Sequence, residues 1–322
     1  MGASADNGKY INGQIVGWFV LVLPPLLWAG NFVVGRAASD DVPPMMLAFA
    51  RHFIALLCLL PFGWTVMRRD LSRYWEIRWL LLRISLAGMV AFNTLVYVGL
   101  HSTTASNAQL MNSAIPVLIV LFGALFLRQR LGNLRIVGLL LSCAGVLTII
   151  LHGELSRLIA LQFSAGDLIV FAAMVSFSLF SVWLRSLPAD MNRLGLLGAQ
   201  FVIAAVVLFP FLVWECLTGD RAVWTLGSLA ALAYVGLAPS LLANLLYMVG
   251  IARVGPARAG LFIHLVPLYG AILSTLFLGE SLHPYHAVGM LAIAAGLACS
   301  QREPQSKARV PGTYCALRGS VP

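Results

Sequence analysis

Apolar runs near 20 residues long recur along the chain from Trp18 to Ser300, and a helix of that length crosses a hydrocarbon core of about 30 Å. Lipid offers backbone groups no hydrogen-bond partner, so a chain built this way must satisfy them inside its own helices. Composition agrees: 60% of the 322 residues are hydrophobic and 10% are charged, against about 25% charged in a soluble domain. A lipid bilayer is therefore the main partner of the surface.

Run length places helices over 17–38, 44–67, 79–100, 105–127, 133–152, 166–185, 194–215, 224–251, 256–278 and 284–300, an all-α membrane protein of ten spans. Met1 to Gln14 is polar, holds a single Lys and offers no cleavage site, so the first run reads as a retained span. Loop charge is an independent test of the count, because Lys and Arg collect on cytoplasmic loops. With the N-terminus inside, those loops hold Arg68, Arg69, Arg73, Arg78, Arg128, Arg130, Arg185, Arg193, Arg253 and Arg258, whereas the outer ones hold Arg157 and Arg221. The net charge of +9 thus reflects topology and implies no nucleic acid. Cys58, Cys143, Cys216, Cys299 and Cys315 are scattered, with neither metal-ligand nor disulfide spacing, and no cofactor motif is present.

Sliding the chain by 151 residues aligns Asn93–Gly145 with Asn244–Gly296, and roughly a third of the positions match, a signature of internal duplication. The matches include Asn93 with Asn244, Gly99 with Gly250, Pro116 with Pro267, Gly138 with Gly289 and Gly145 with Gly296. Five spans per unit is an odd number, so the second copy enters the membrane from the opposite side and the repeat is inverted. The expected organisation is a cytoplasmic N-terminus over 1–16, a first repeat over 17–152, a second over 166–300 and a disordered, basic cytoplasmic tail over 301–322.

Three motifs carry a family resemblance. Trp28-Ala29-Gly30-Asn31-Phe32, Pro43-Pro44 ahead of Arg51, and Gly279-Glu280-Ser281-Leu282 followed by Gly289 resemble the EamA family of the drug/metabolite transporter superfamily. The resemblance runs from about Leu26 to Ser300. It implies two five-helix EamA units, a bacterial inner membrane, both termini in the cytoplasm and, often, export of amino acids or related metabolites. Gln129 stands where the family pattern expects an acid, opposite Glu280 in the repeat.

Polar side chains within spans are costly and mark candidate sites. The competing explanation is helix-to-helix hydrogen bonding, worth about 0.6 kcal/mol per contact. Asn93 and Asn244 are repeat mates, each sharing a helix face with an aromatic, Tyr97 or Tyr247. Pro116 and Pro267 are expected to kink their runs near the middle and free the carbonyls of Asn112 and Ile263. Gln109, Asn112 and Pro116 follow the spacing i, i+3, i+7 and form one polar stripe.

His264 precedes Pro267 by one turn; an imidazole can donate, accept and switch charge near neutrality, so substrate contact, proton coupling and a purely structural role all stay open. His52 is a weaker case, and His101, His152, His283 and His286 are expected to be solvated at outer boundaries. Arg51 lies well inside the second run, where it would bind an anionic group, snorkel to the outer interface or pair with Asp40 or Asp41. Trp28 and Asn31 occupy adjacent turns of the first run beyond Pro24 and Pro25 and form either a cavity wall or a packing face. All twelve Asp and Glu residues fall in loops or near helix ends, Asp167 and Glu215 coming closest to the interior.

These features point to a secondary transporter for a small polar metabolite. An intramembrane enzyme would need a nucleophile and base; the repeat mates Ser113 and His264 lack an oxyanion or metal motif beside them. A membrane sensor or scaffold would carry an appended soluble domain.

Overall fold

The structure, a computed structural model, describes residues 2–127, 133–154, 164–188, 190–218, 221–254, 262–263 and 265–301. Described residues of the first half form α1 (Gly2–Ala37), α2 (Pro44–Arg69), α3 (Leu71–Glu76), α4 (Arg78–Ser85), α5 (Phe92–Leu100), α6 (Ala105–Asn112), α7 (Ile115–Leu127) and α8 (Asn133–Ile150). The second half supplies α9 (Ala165–Leu184), α10 (Arg193–Thr218), α11 (Leu226–Val235), α12 (Ala243–Val254), α13 (Leu265–Leu278) and α14 (Pro284–Gln301). Two π-helical stretches, Leu86–Ala91 and Gly236–Leu242, join α4 to α5 and α11 to α12. Among the described residues six helical runs are long and apolar enough to cross a membrane, and the α6–α7 pair, bent by 41°, makes a seventh if it is counted as one span. Residues 136–150 and 265–278 form shorter apolar helices. Large apolar side chains such as Phe19, Leu217, Leu226 and Phe277 point outward, each more than 70% exposed, which in water would be a severe liability and in lipid is not.

Local chemistry explains the helix starts. Thr225 and Ser228 form a reciprocal capping box at α11. Pro43 gives α2 no side-chain cap; instead Glu215, from α10, accepts the Met45 and Met46 amides at 3.0 and 2.9 Å. At α6, Glu280 accepts the Ala105 and Ser106 amides, both at 2.8 Å, and the Ser106 hydroxyl at 2.6 Å. A carboxylate at a helix N-terminus satisfies orphan donors and complements the macrodipole. Both acids belong to the second half and both helices to the first.

Helix α1 packs between α12 and α13, α2 lies along α10, α9 packs on α5 and α7, and α8 crosses α14. Glycines make the last crossing close: a Cβ on Gly145 would lie 2.6 Å from the Gly289 carbonyl, and one on Gly296 would lie 2.4 Å from the Gly138 carbonyl. Position 138 meets 296 while 145 meets 289, so the two helices run antiparallel. Ser142, which the 151-residue offset matches to Ile293, donates to the carbonyl of that residue. The four glycines are two sequence-matched pairs, Gly138 with Gly289 and Gly145 with Gly296, and each glycine touches a member of the other pair.

Two expectations change. Pro116 and Pro267 sit in the first turns of α7 and α13 and not in the middle of unbroken helices. The first-half break falls at Ser113 and Ala114, just ahead of Pro116, where a ring that clashes with the preceding turn is best tolerated at a helix start. By contrast, α1 continues through Pro24 and Pro25 and begins already at Gly2.

Candidate functional site

Asn31, Arg51 and Tyr97 come from three helices, α1, α2 and α5, and meet in a buried cluster. Arg51 Nη1 donates to Asn31 Oδ1 at 3.0 Å and to the Tyr97 hydroxyl at 3.1 Å, and that hydroxyl donates to Asn31 Oδ1 at 2.8 Å. Arg51 is 8% exposed, Asn31 4% and Tyr97 1%. Among the described residues no carboxylate lies within ion-pair distance of Arg51, so neither snorkelling nor pairing with Asp40 or Asp41 describes it. Its other guanidinium donors are available to a planar anion, for which this side chain's geometry is suited.

One turn earlier on α5, Asn93 donates to the Met89 carbonyl at 2.8 Å and approaches His52 Nε2 at 3.4 Å, while its own Oδ1 is buried without a partner. His52 Nδ1 lies 2.7 Å from the Ala48 carbonyl, which places the ring proton there and leaves Nε2 as the acceptor. Asn244 repeats the arrangement on α12, donating to the Ser240 carbonyl at 2.8 Å and the Pro239 carbonyl at 3.3 Å. Met89 and Ser240 are themselves 151 positions apart and lie in the two π-helical stretches. Each Asn thus bonds a carbonyl displaced from the α-helical ladder, and π-helical insertions favour functional sites.

Trp28 extends the cluster along α1. Its indole N–H donates to the Pro239 carbonyl at 3.2 Å, and its ring meets Tyr247 edge-on at 5.3 Å. Gly30 follows because a Cβ there would lie 2.1 Å from the Tyr234 hydroxyl, which donates to the Leu27 carbonyl. A cavity of about 430 Å³ between α1 and α11 is lined by Val34, Ala38, Asp41, Ala231 and Tyr234. Val34 is one turn beyond Asn31 on α1, and none of Asn31, Arg51 and Tyr97 lines the cavity.

Other candidates lie elsewhere. Gln109 is fully buried against α13, donating to Ser274 at 3.2 Å, with Oε1 pressed onto Gly270. Asn112 is half-buried at the α6–α7 break, so the stripe of Gln109 and Asn112 packs one end on a helix. His264 lies outside the described residues. His286 is 5% exposed and bonds Asn107, and His152 faces Asp167; neither is simply solvated, because α14 folds over the end of α6. Arg36, Glu215 and Glu280 escaped the sequence reading as structural groups. Arg36 binds the Leu100 and His101 carbonyls at 2.7 and 3.3 Å, and its signal is a basic residue in the last turn of α1.

At the opposite end, Arg73 pairs with Asp190. The bond from Arg73, with its charge, holds the Asp190 carboxyl below the usual range, and the carboxylate in turn raises the guanidinium value.

The model of the EamA-like transporter family matches residues 15–151 and again 164–301. The chain belongs to the EamA-like transporter family. Relatives within the drug/metabolite transporter superfamily include the uncharacterized transporter YetK of Bacillus subtilis, 23% identical over 90% of this chain and 88% of its own. The inner membrane transporter YedA of Escherichia coli is 26% identical over 84% and 87%. A protein of Streptantibioticus cattleyicolor named as a probable terminal-alkyne amino-acid exporter is 25% identical over 92% and 96%. Among solved structures, a crystal structure matches with a TM-score of 0.55 at 20% identity, covering 90% of this chain and 97% of that one. For an EamA-like chain the helical fold, the two matched units and the outward apolar surface make this a multi-pass membrane protein.

Proposed function

We propose that this transporter exports a small polar metabolite, an amino acid or close analogue, by alternating access between two inverted five-helix repeats. In this reading the protein has ten spans in a bacterial inner membrane with both termini in the cytoplasm. The first repeat covers 17–152 and the second 166–300, flanked by the short N-terminus and the basic tail. The observation that carries the substrate class is Arg51. A guanidinium placed in hydrocarbon costs about 3 kcal/mol on insertion scales, and here it is held by an amide and a phenol with no carboxylate beside it among the described residues. Such a group is retained where an anionic ligand completes it. Trp28, Tyr247, Asn93 and Asn244 frame the same region from both repeats, and the antiparallel α8–α14 crossing supports inversion. The name of the Streptantibioticus relative agrees with a substrate bearing a carboxylate.

Purified protein in proteoliposomes, loaded in turn with a panel of labelled amino acids and analogues, tests the proposal. Saturable flux of at least one member is expected, with kcat/KM falling at least about tenfold in Arg51→Gln, a loss of about 1.4 kcal/mol of binding, and Arg51→Lys failing to restore it. Absence of flux across the panel, or unchanged kinetics in Arg51→Gln, overturns it.

A further inference from the structure

Asp167, in the first turn of α9, has no solvent exposure. Its Oδ1 accepts from the Thr103 hydroxyl and from Asn107 Nδ2. Its Oδ2 is buried, makes no hydrogen bond, and lies 3.3 Å from His152 Nε2. The same His152 Nε2 is 3.2 Å from Asn107 Nδ2. One ring nitrogen therefore faces a donor and an acceptor together.

The orientation of Asn107 follows from its other neighbour. His286 Nδ1 accepts the His283 amide at 3.1 Å, so the His286 proton sits on Nε2 and is donated to Asn107 Oδ1 at 2.8 Å. Turning the amide over would set an oxygen against the Asp167 carboxylate and an NH2 against a donor. With Asn107 thus held, Nε2 of His152 has two exclusive states: unprotonated, it accepts from Asn107; protonated, it donates to Asp167 Oδ2.

The backbone supplies a second, independent observation. Gly153 N–H bonds the Thr148 carbonyl at 2.9 Å and His152 N–H the Ile149 carbonyl at 3.0 Å, the paired bonds that end a helix with a left-handed residue. That residue is His152, with φ 53°, where glycine is the usual occupant and a side chain costs about 1 kcal/mol. The position holds an imidazole against backbone preference. A cavity of about 300 Å³, lined among others by Arg36, Thr103, Asn107, His152, Asp167 and Tyr285, joins the pair to water.

The geometry points to a proton-binding site: Asp167 and His152 hold one proton taken from this cavity, and its binding clasps the two repeats at this end of the bundle. The first repeat contributes Thr103, Asn107 and His152, the second Asp167 and His286. The charged and titratable groups of the surrounding segments are Arg36 and His101 at the ends of α1 and α5, Glu154 two residues after His152, Glu280 on the α6 terminus, and His283 and Tyr285 leading into α14. With the proton bound the ring is cationic and its contact with Asp167 Oδ2 is an ion pair, which tightens the clasp; without it the ring is neutral and at most one uncharged hydrogen bond remains, which loosens it. The proposal holds whichever solute is moved, since it concerns the joint between the halves.

Hydrogen–deuterium exchange on the full chain in lipid nanodiscs, at about pH 5.5 and about pH 8, spans the range of imidazole titration. After correction for intrinsic exchange, opening of residues 102–108 is expected to rise about tenfold at the higher pH, a typical coupling between two sites. His152→Gly suits the left-handed backbone and keeps the fold, so it should remove the pH difference while leaving the thermal midpoint near that of the unchanged protein. Asp167→Asn should remove the difference as well. An unchanged protein whose exchange does not respond to pH, or a His152→Gly variant that keeps the response, overturns the proposal.

Discussion

A cation sealed within a helix bundle must find acceptors, and Arg51 finds an amide 20 residues away and a phenol 46 residues away. Its depth was legible in the sequence, because an arginine well inside an apolar run is conspicuous. Its partners were not, since nothing local tells which of several buried polar groups will face it. Trp28 and Asn31 were legible for the same reason, and their separation by one turn explains how a single helix serves two parts of the site. Gly30 shows the opposite limit. Its value lies in Tyr234, which arrives from the other repeat, and a Cβ there would lie 2.1 Å from the hydroxyl and 3.0 Å from the ring carbon bearing it. Gly30→Ala should therefore destabilise by about 1–3 kcal/mol, the usual cost of overpacking. Tyr234→Phe removes the nearer atom and should recover part of that loss in the double variant, read as thermal midpoints in one detergent.

Elements carry the repeat more clearly than residues do. The 151-residue offset pairs two π-helical stretches, and in each an Asn four residues on bonds the displaced carbonyl. The amides were identified from sequence as polar groups at depth; the π geometry was invisible because it changes the hydrogen-bond register without changing the hydrophobic pattern. Asn93→Ala or Asn244→Ala should impair flux in proteoliposomes with membrane insertion intact, and normal kinetics in both would remove them from the site. The helix caps tell a similar story. Glu280 had a family motif but no partner until the structure set it on α6. Replacing it with Gln keeps the shape and removes the charge, so the α6 terminus should lose about 1–2 kcal/mol, measured as a lower unfolding midpoint at neutral pH. At the glycine crossing, Gly145→Ala meets backbone, which cannot step aside, and should cost at least as much.

Across the whole molecule the two ends differ in chemistry. One carries Asp167, His152 and His286; the other carries the exposed pair of Arg73 and Asp190. Because the Asp190 carboxyl is depressed by its partner, the contribution of that pair is present above the ordinary carboxylate value and is lost only as pH falls through the lower, folded one. Between about pH 5 and 8, where an imidazole changes charge, the Arg73 end should hold steady while the histidine end responds. Exchange of residues 71–76 should accordingly show no corrected pH effect over that range. The all-helical membrane class and the two-unit duplication were legible because hydrophobic periodicity and the 151-residue match survive without coordinates. The polar joint between the halves was not, since His286 and His152 look like ordinary loop-edge histidines until α14 closes over α6.

The two capping carboxylates also have a consequence for biosynthesis. Helices α2 and α6 are made early, yet the groups that finish them, Glu215 and Glu280, leave the ribosome many residues later. The first half therefore waits in the membrane with open amide ends, and a chain stopped after residue 152 should be short-lived. Two separately translated halves, produced together, should find each other and co-purify, and Glu215→Ala with Glu280→Ala should weaken that reunion.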